Sequence, residues 1–442
     1  MRVLKFGGTS VGSIENMIHV KNIVNDGKKK IIVLSAMSGT TNALVEISLA
    51  CKEGKRSLAK EYVNNLYLKY IDVILNLLQD YPLNKETECY VQSVFNYLNE
   101  LIELPHSELI HGSIVSQGEM LSTFIFSRFL QQEEINVKLI SALDFMRIDK
   151  MNEPDSFYIN QNLTRIINEF PDYDMYVTQG FVCLDAKGDV ANLQRGGSDY
   201  TATIIGSVIN AEEVQIWTDI DGFHNNDPRF VESTHAISNL SFDEAAELAY
   251  FGAKILHPQT VMPVRDLDIP VRLKNTMLPE AFGTLITNEI HGEGIKAIAA
   301  KDGITAIKIK SGRMLQAHGF LKKVFEIFEK YETSIDMITT SEIAVSLTID
   351  DAKHLVDITQ ELEKFSTVEI DDYRTIVCLV GNNIVFHPDT PKLFQILQDV
   401  NVRMIAYGGS NNNISLLINT SDKQETLRKL NRYVFETETV MS

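Results

Sequence analysis

A chain of 442 residues is too long for one hydrophobic core and should divide into two or three domains. Its composition, 44% hydrophobic and 23% charged, is that of a soluble globular protein. A formal net charge of −18 excludes a nucleic-acid binder, whose phosphate partner demands a basic face, but leaves room for a nucleotide held by a few local cations and amides.

Arg2–Phe6 and Lys30–Ser35 are short apolar runs separated by a helix-like segment, Ser13–Gly27, a spacing that predicts a βαβ unit with a parallel sheet. The first run ends in Lys5-Phe-Gly-Gly-Thr-Ser. Gly7 and Gly8 are expected there to take φ > 0 and bring bare N–H groups close to a phosphate, with Lys5 adding a point charge. The second run ends in the small-residue turn Ser35–Asn42, at the strand edge where open α/β sheets bind ligands. From about 57 to 104 the pattern becomes helical, with Val63, Leu66, Tyr70, Ile74 and Leu77 on one face and Val91, Val94, Tyr97 and Leu101 repeating it. Strands resume at Asn136–Ile140, Met175–Gln179, Glu213–Trp217 and Pro270–Lys274, with helices such as Tyr200–Ile209 and Phe242–Phe251 between them. That alternation predicts a doubly wound α/β domain ending near residue 290.

Two more turns carry charge, Arg195-Gly-Gly-Ser-Asp199 and Thr218-Asp-Ile-Asp-Gly222, and such local rule-breaking clusters at functional sites. His291–Gly294 reads as a linker. Beyond it lies a weak repeat: Phe325–Phe328, Ile335–Ile338 and Val345–Ile349 are echoed by Phe394–Leu397, Val402–Ile405 and Ile414–Ile418, each copy a helix, strand, turn and strand. Cys51, Cys89, Cys183 and Cys378 form no C-x-x-C pair and read as core residues in a reducing compartment. With neither a signal-peptide pattern nor an apolar stretch near the ~20 residues that span a bilayer, the expected location is the cytoplasm.

Five blocks stand out in order: Lys5–Gly12, Ser116–Ser122, Arg195–Ala202, Trp217–Arg229 and Phe251–Pro258. With them the chain resembles the aspartate kinases of the amino-acid kinase family nearly end to end. The C-terminal repeat is similar to the tandem ACT domains that follow this kinase fold, and Ile335–Ile343 is closest to the lysine-inhibited bacterial type. The resemblance implies a mainly parallel sheet between helices over residues 1–290, then two α+β, ferredoxin-like ACT domains, the first at 311–385 and the second from 295–310 plus 386–442. It implies the reaction ATP plus L-aspartate to ADP plus 4-phospho-L-aspartate, the entry to lysine, threonine and methionine synthesis. It further implies Mg²⁺ with the nucleotide, L-lysine as allosteric inhibitor, and a homodimer through the ACT domains or a tetramer of such dimers. No G-x-G-x-x-G fingerprint points to a fused dehydrogenase.

By the same resemblance, Lys5 lies over the β/γ-phosphates beside Gly7 and Gly8, and Asp199 orients Lys5 or Arg195. Arg195 grips an aspartate carboxylate in a bidentate fork, Ser198 adds a donor, Glu119 accepts from the substrate ammonium and Thr41 completes the cradle. The nucleotide side maps onto Thr218, Asp219, His224, Arg229, Lys254 and Ile255. The lysine pocket maps onto Met314, Ala317, Phe320, Leu321, Asp336, Ser341 and Glu342; where the first copy has Asp336 at the strand start the second has Arg403, which implies one amine-binding site per chain. Three positions depart from the family pattern: His224 for a tyrosine, Gln194 for a glycine, and Ala317 for a serine. Two other readings keep parts of this picture, a glutamate, acetylglutamate or carbamate kinase of the same superfamily, and a catalytically silent amino-acid sensor.

Overall fold

Lys30–Leu34 is buried at all five positions and its neighbour Arg2–Phe6 at three of five, as expected of strands covered on both faces of a parallel sheet. The computed structural model describes residues 1–193, 196–251, 256–311 and 318–436. They form two units, residues 1–223 with 256–288, and residues 224–255 with 289–442. The packing division therefore assigns residues 224–255, which lie inside the stretch read as the kinase domain, to the C-terminal unit.

In the first unit the strands run in the order Val137–Leu139, Met175–Gln179, Lys30–Leu34, Arg2–Phe6, Val214–Thr218, Val271–Asn275 and Thr284–Thr287. All neighbours are parallel except the last pair. Parallel pairing brings the carboxyl ends of the central strands to one edge, with Phe6 in register with Leu34 and Trp217. Ser13 caps the helix Ile14–Val24 through a bond from Asn16 N, and Ser107 caps Glu108–Val115 in the same way. The helical insertion is the pair Arg56–Leu77 and Tyr81–Glu103. Their apolar faces join the core of Leu4, Phe6, Ile32 and Leu34. Tyr97, expected on that face, is exposed; Phe95 and Leu98 fill it instead, because position 97 lies off the stripe that Val91, Val94 and Leu101 define.

The second unit contains a six-stranded antiparallel sheet in the order Ile338–Thr340, Ala344–Ile349, Gly294–Lys310, Thr367–Asn382, Asn413–Asn419 and Met404–Ser410. Its two central strands are long, and each serves both repeat copies. Residues 294–301 pair with 376–382 and residues 304–310 with 367–374, with a register irregularity between Lys301 and Ile304. Helices Phe320–Lys330 and Leu355–Glu363 cover one half; Thr390–Ile396 and Lys423–Asn431 cover the other, each over its own apolar core. Helix Phe242–Tyr250 starts at a capping box of Ser241 and Glu244. Among the described residues no helix is long and apolar enough to cross a membrane.

Candidate active site

The loop after the first strand closes tightly on the one after the second. Gly7 N donates to Trp217 O and Ser38 N to Gly8 O, at 3.2 and 3.1 Å. Neither Gly7 nor Gly8 has positive φ, contrary to the sequence expectation. What demands glycine at position 8 is space, since a Cβ would stand 2.8 Å from Ala36 O. Left-handed backbone occurs instead at Gly39 (φ 78°) and Gly196 (φ 72°), the residues that open helices Thr40–Lys52 and Gly197–Val208. Neither helix has a side-chain cap among the described residues. Both helix starts line one cleft of about 410 Å³, together with Gly8, Ser38, Thr41, Glu119, Phe181 and Ser198. Two uncapped helix N-termini converging on one space form an electropositive cradle for anionic oxygens.

Lys5 and Asp199 form an ion pair, Nζ to Oδ1 at 2.7 Å, with both side chains largely withdrawn from solvent. Asp199 sits in the first turn of its helix, where a carboxylate also suits the macrodipole. Ser198 is buried; Ser35 Oγ donates to its Oγ at 3.0 Å, and Gly180 leaves room for it, since a Cβ there would lie 2.3 Å from Ser198 Cβ. Thr41 is exposed in the first turn of the helix that follows Gly39.

Glu119 is the most unusual group in the cleft. It enters from the first turn of helix Gln117–Gln132 and is only 4% exposed. Its Oε1 accepts from Ala36 N at 3.1 Å, while Oε2 is buried with no partner among the described residues. Burial pushes its carboxyl up to about 7, against the opposing pull of the Ala36 N–H and of Lys5. A carboxylate with one oxygen engaged and the other idle is set to receive a cationic donor. Phe181, absent from the sequence-derived candidates, also lines the cleft; it holds φ 67°, and its N–H donates to Thr201 Oγ1 at 2.9 Å. The Gln-Gly-Phe turn at 179–181 was the available signal.

Of the nucleotide candidates, Thr218 ends the strand beside that of Lys5, and its hydroxyl donates to Asp219 Oδ1 at 3.0 Å. Gly222 follows at φ 128° against Thr284, whose Oγ1 accepts from Phe223 N. His224 and Arg229 belong to the second unit. There Arg229 forks onto Asp227, Nη2 to Oδ2 at 2.7 Å and Nε to Oδ1 at 2.9 Å, and His224 is half-buried with a bridge to Ala236. Gln194, Arg195, Lys254 and Ile255 lie outside the described residues, as do Met314 and Ala317.

Among the remaining allosteric candidates, Phe320 meets Phe365 edge-on, Leu321 is exposed on the same helix, and Ser341 and Glu342 are exposed at the end of strand Ile338–Thr340. Asp336 is different. Its carboxylate is inaccessible, paired with Lys301 at 3.0 Å and accepting from Tyr250 Oη at 2.7 Å. In the second copy Arg403 pairs with Asp371 at 3.0 Å. Neither Lys301 nor Tyr250 was legible as part of this cluster.

A model of the amino acid kinase family matches residues 1–275, and one of the ACT domain matches residues 377–433. The lysine-sensitive aspartokinase 3 of Escherichia coli is 34% identical over 98% of this chain and 99% of its own length. The crystal structure of Escherichia coli aspartokinase III in complex with aspartate and ADP, in the R-state, covers 98% of this chain and all of its own, with 32% identity and a TM-score of 0.84. The T-state of the same enzyme in complex with lysine and aspartate gives 31% identity and a TM-score of 0.82, over 98% of this chain and 99% of that one.

Proposed function

This chain belongs to the amino acid kinase family, as one of its aspartokinases, and from that premise we propose how its residues perform the reaction and its control. It transfers the γ-phosphoryl group of ATP to the side-chain carboxylate of L-aspartate, giving ADP and 4-phospho-L-aspartate, and L-lysine inhibits it. The aspartate β-carboxylate is ionised at neutral pH, so its oxygen attacks the γ-phosphorus directly. The bond to the β,γ-bridging oxygen breaks, its electron pair leaves with ADP, and no proton moves.

The work left to the protein is positioning and charge neutralisation. The observation that carries this reading is one cleft lined by Glu119, Ser198 and two uncapped helix N-termini, with the Lys5–Asp199 ion pair following Ser198 and the Lys5 charge acting on Glu119. Lys5 meets the charge that builds on the transferring phosphoryl group, while Asp199 fixes where its ammonium sits. Glu119 takes the substrate ammonium on its idle Oε2; Thr41, Ser198 and Arg195 hold the carboxylates. Gly7, Gly8, Thr218, Asp219, His224, Arg229, Lys254 and Ile255 serve the nucleotide. Magnesium fits as an ion carried by the nucleotide phosphates, which needs only one or two carboxylates, and Asp199, Asp219 and Asp221 are among those this part of the chain offers. When bound it neutralises phosphate charge.

Lysine is held by Phe320, Leu321, Asp336, Ser341 and Glu342 with Met314 and Ala317, and the protein works as a homodimer through its ACT halves, in the cytoplasm that its four free thiols suit. The test is trapping of the acyl phosphate with hydroxylamine. ATP-dependent aspartyl hydroxamate should form with the native chain and fall by about 10²–10³-fold in Lys5→Ala, the scale of losing one preorganised charge donor. Product from glutamate but not aspartate, or an undiminished Lys5→Ala, would sink the assignment.

A further inference from the structure

The inserted helix Arg56–Leu77 reaches the loop that opens the cleft. Lys69 Nζ donates to Ser38 O at 2.8 Å, and the Tyr70 hydroxyl shares a hydrogen bond with Thr40 Oγ1 at 3.0 Å. Ser38 lines the cleft, and Thr40 is the first residue of the helix whose start brings Thr41 to it. Tyr70 and Thr40 are both fully buried, and the Tyr70 ring meets Phe95 of the second inserted helix at 6.1 Å. On its other side Thr40 is closed in by Gly118, the residue before Glu119, where an added Cβ would stand 3.3 Å from the Thr40 methyl. The loop is thus fastened twice. Ser38 N to Gly8 O and Ala36 N to Glu119 Oε1 hold it to its neighbours in the cleft, and Lys69 and Tyr70 hold it to the insertion.

We propose that Tyr70 is a positioning residue for the aspartate subsite, fixing the start of helix Thr40–Lys52 in the place where Thr41 and its neighbours meet a substrate carboxylate. The proposal rests on the assignment of aspartate to Thr41 and Glu119. A threonine hydroxyl at a helix start readily turns back onto nearby backbone groups. Here Tyr70 engages it, and the helix start has no side-chain cap, so its orphan N–H groups stay available to an anionic ligand. Without Tyr70 Oη the buried Thr40 hydroxyl loses its partner and regains one only if the helix start shifts, which carries Thr41 with it. Burial pushes the Tyr70 hydroxyl pKa up and the nearby Glu119 charge adds to the shift, so the hydroxyl keeps its proton across the working pH range. The bond falls one residue from Thr41, whereas the nucleotide candidates Gly7, Gly8, Thr218 and Asp219 follow other strands. Aspartate binding therefore bears the loss.

The experiment uses the full chain and reads aspartate KM, ATP KM and kcat by hydroxamate trapping. Tyr70→Phe keeps the ring against Phe95 and removes the hydroxyl. It should raise the aspartate KM about 3–10-fold, the span of one buried neutral hydrogen bond, and leave the ATP KM within about twofold of native. Thr40→Val, which keeps the shape of the side chain, should do the same, while Thr40→Ser, which keeps the hydroxyl, should stay near native. That pair makes the same comparison without touching Tyr70, should the Tyr70 variant not fold. Tyr70→Phe combined with Thr40→Val should be no worse than either alone. A native aspartate KM in Tyr70→Phe, an ATP KM that rises as far as the aspartate KM, a Thr40→Ser as impaired as Thr40→Val, or additive effects in the double variant overturns the proposal. A native chain that forms no aspartyl hydroxamate overturns the substrate assignment instead, and the positioning role with it.

Discussion

Glu119→Gln separates what the carboxylate costs the fold from what it does for the substrate. Its folded value of about 7 stands above the ordinary 4.5, because burial disfavours the charged form. The folded chain thus binds the proton more tightly than the unfolded one between these values, and stability falls as pH rises through that window. The raised value corresponds to about 3 kcal/mol at pH 8 and less than about 1 kcal/mol at pH 5. Glutamine keeps the shape and an acceptor for Ala36 N but carries no charge. Chemical denaturation should therefore show Glu119→Gln more stable than the native chain by up to about 3 kcal/mol at pH 8, with the advantage nearly gone at pH 5. The aspartate KM should move the other way and rise by roughly 10²-fold, the ~1.5–3 kcal/mol attributed to a hydrogen bond with a charged group. For the native chain, aspartate affinity should strengthen as pH rises through 7, while the variant stays flat. A stability difference independent of pH, or a native aspartate KM in the variant, would refute both the buried charge and its role.

Gly8→Ala places a methyl 2.8 Å from Ala36 O and forces the two ligand loops apart. About 1–3 kcal/mol of strain and a raised ATP KM are expected, and an unchanged KM in steady-state assays would show the loops are free to part. His224→Tyr restores the family's residue and should leave the ATP KM the same or lower it. A rise of tenfold or more would mean the histidine has a role of its own.

Local chemistry made much of this protein legible. Small-residue turns after apolar runs marked the strand edge where the cleft lies, the loops at Gly39 and Gly196, and the blocks holding Glu119 and Ser198 that line it. Periodicity located the two inserted helices but misplaced Tyr97, where one residue's difference in angle decides between core and solvent. The repeat was visible, yet the long strands Gly294–Lys310 and Thr367–Asn382 were not, because a strand shared by two half-sheets leaves no mark in either copy's own pattern.

The sequence by itself determined which groups are present: the loop glycines, one lysine and one aspartate at strand and helix ends, a glutamate in a helix start, and an acidic residue in only one repeat copy. Tertiary structure alone decided their state. Lys5 meets Asp199 across 193 intervening residues of chain, Glu119 becomes hard to ionise only once the sheet and helices shut water out, and Asp336 is claimed by Tyr250 and Lys301. Charge and partner choice depend on distance and on exclusion of solvent, and neither exists until the chain has folded.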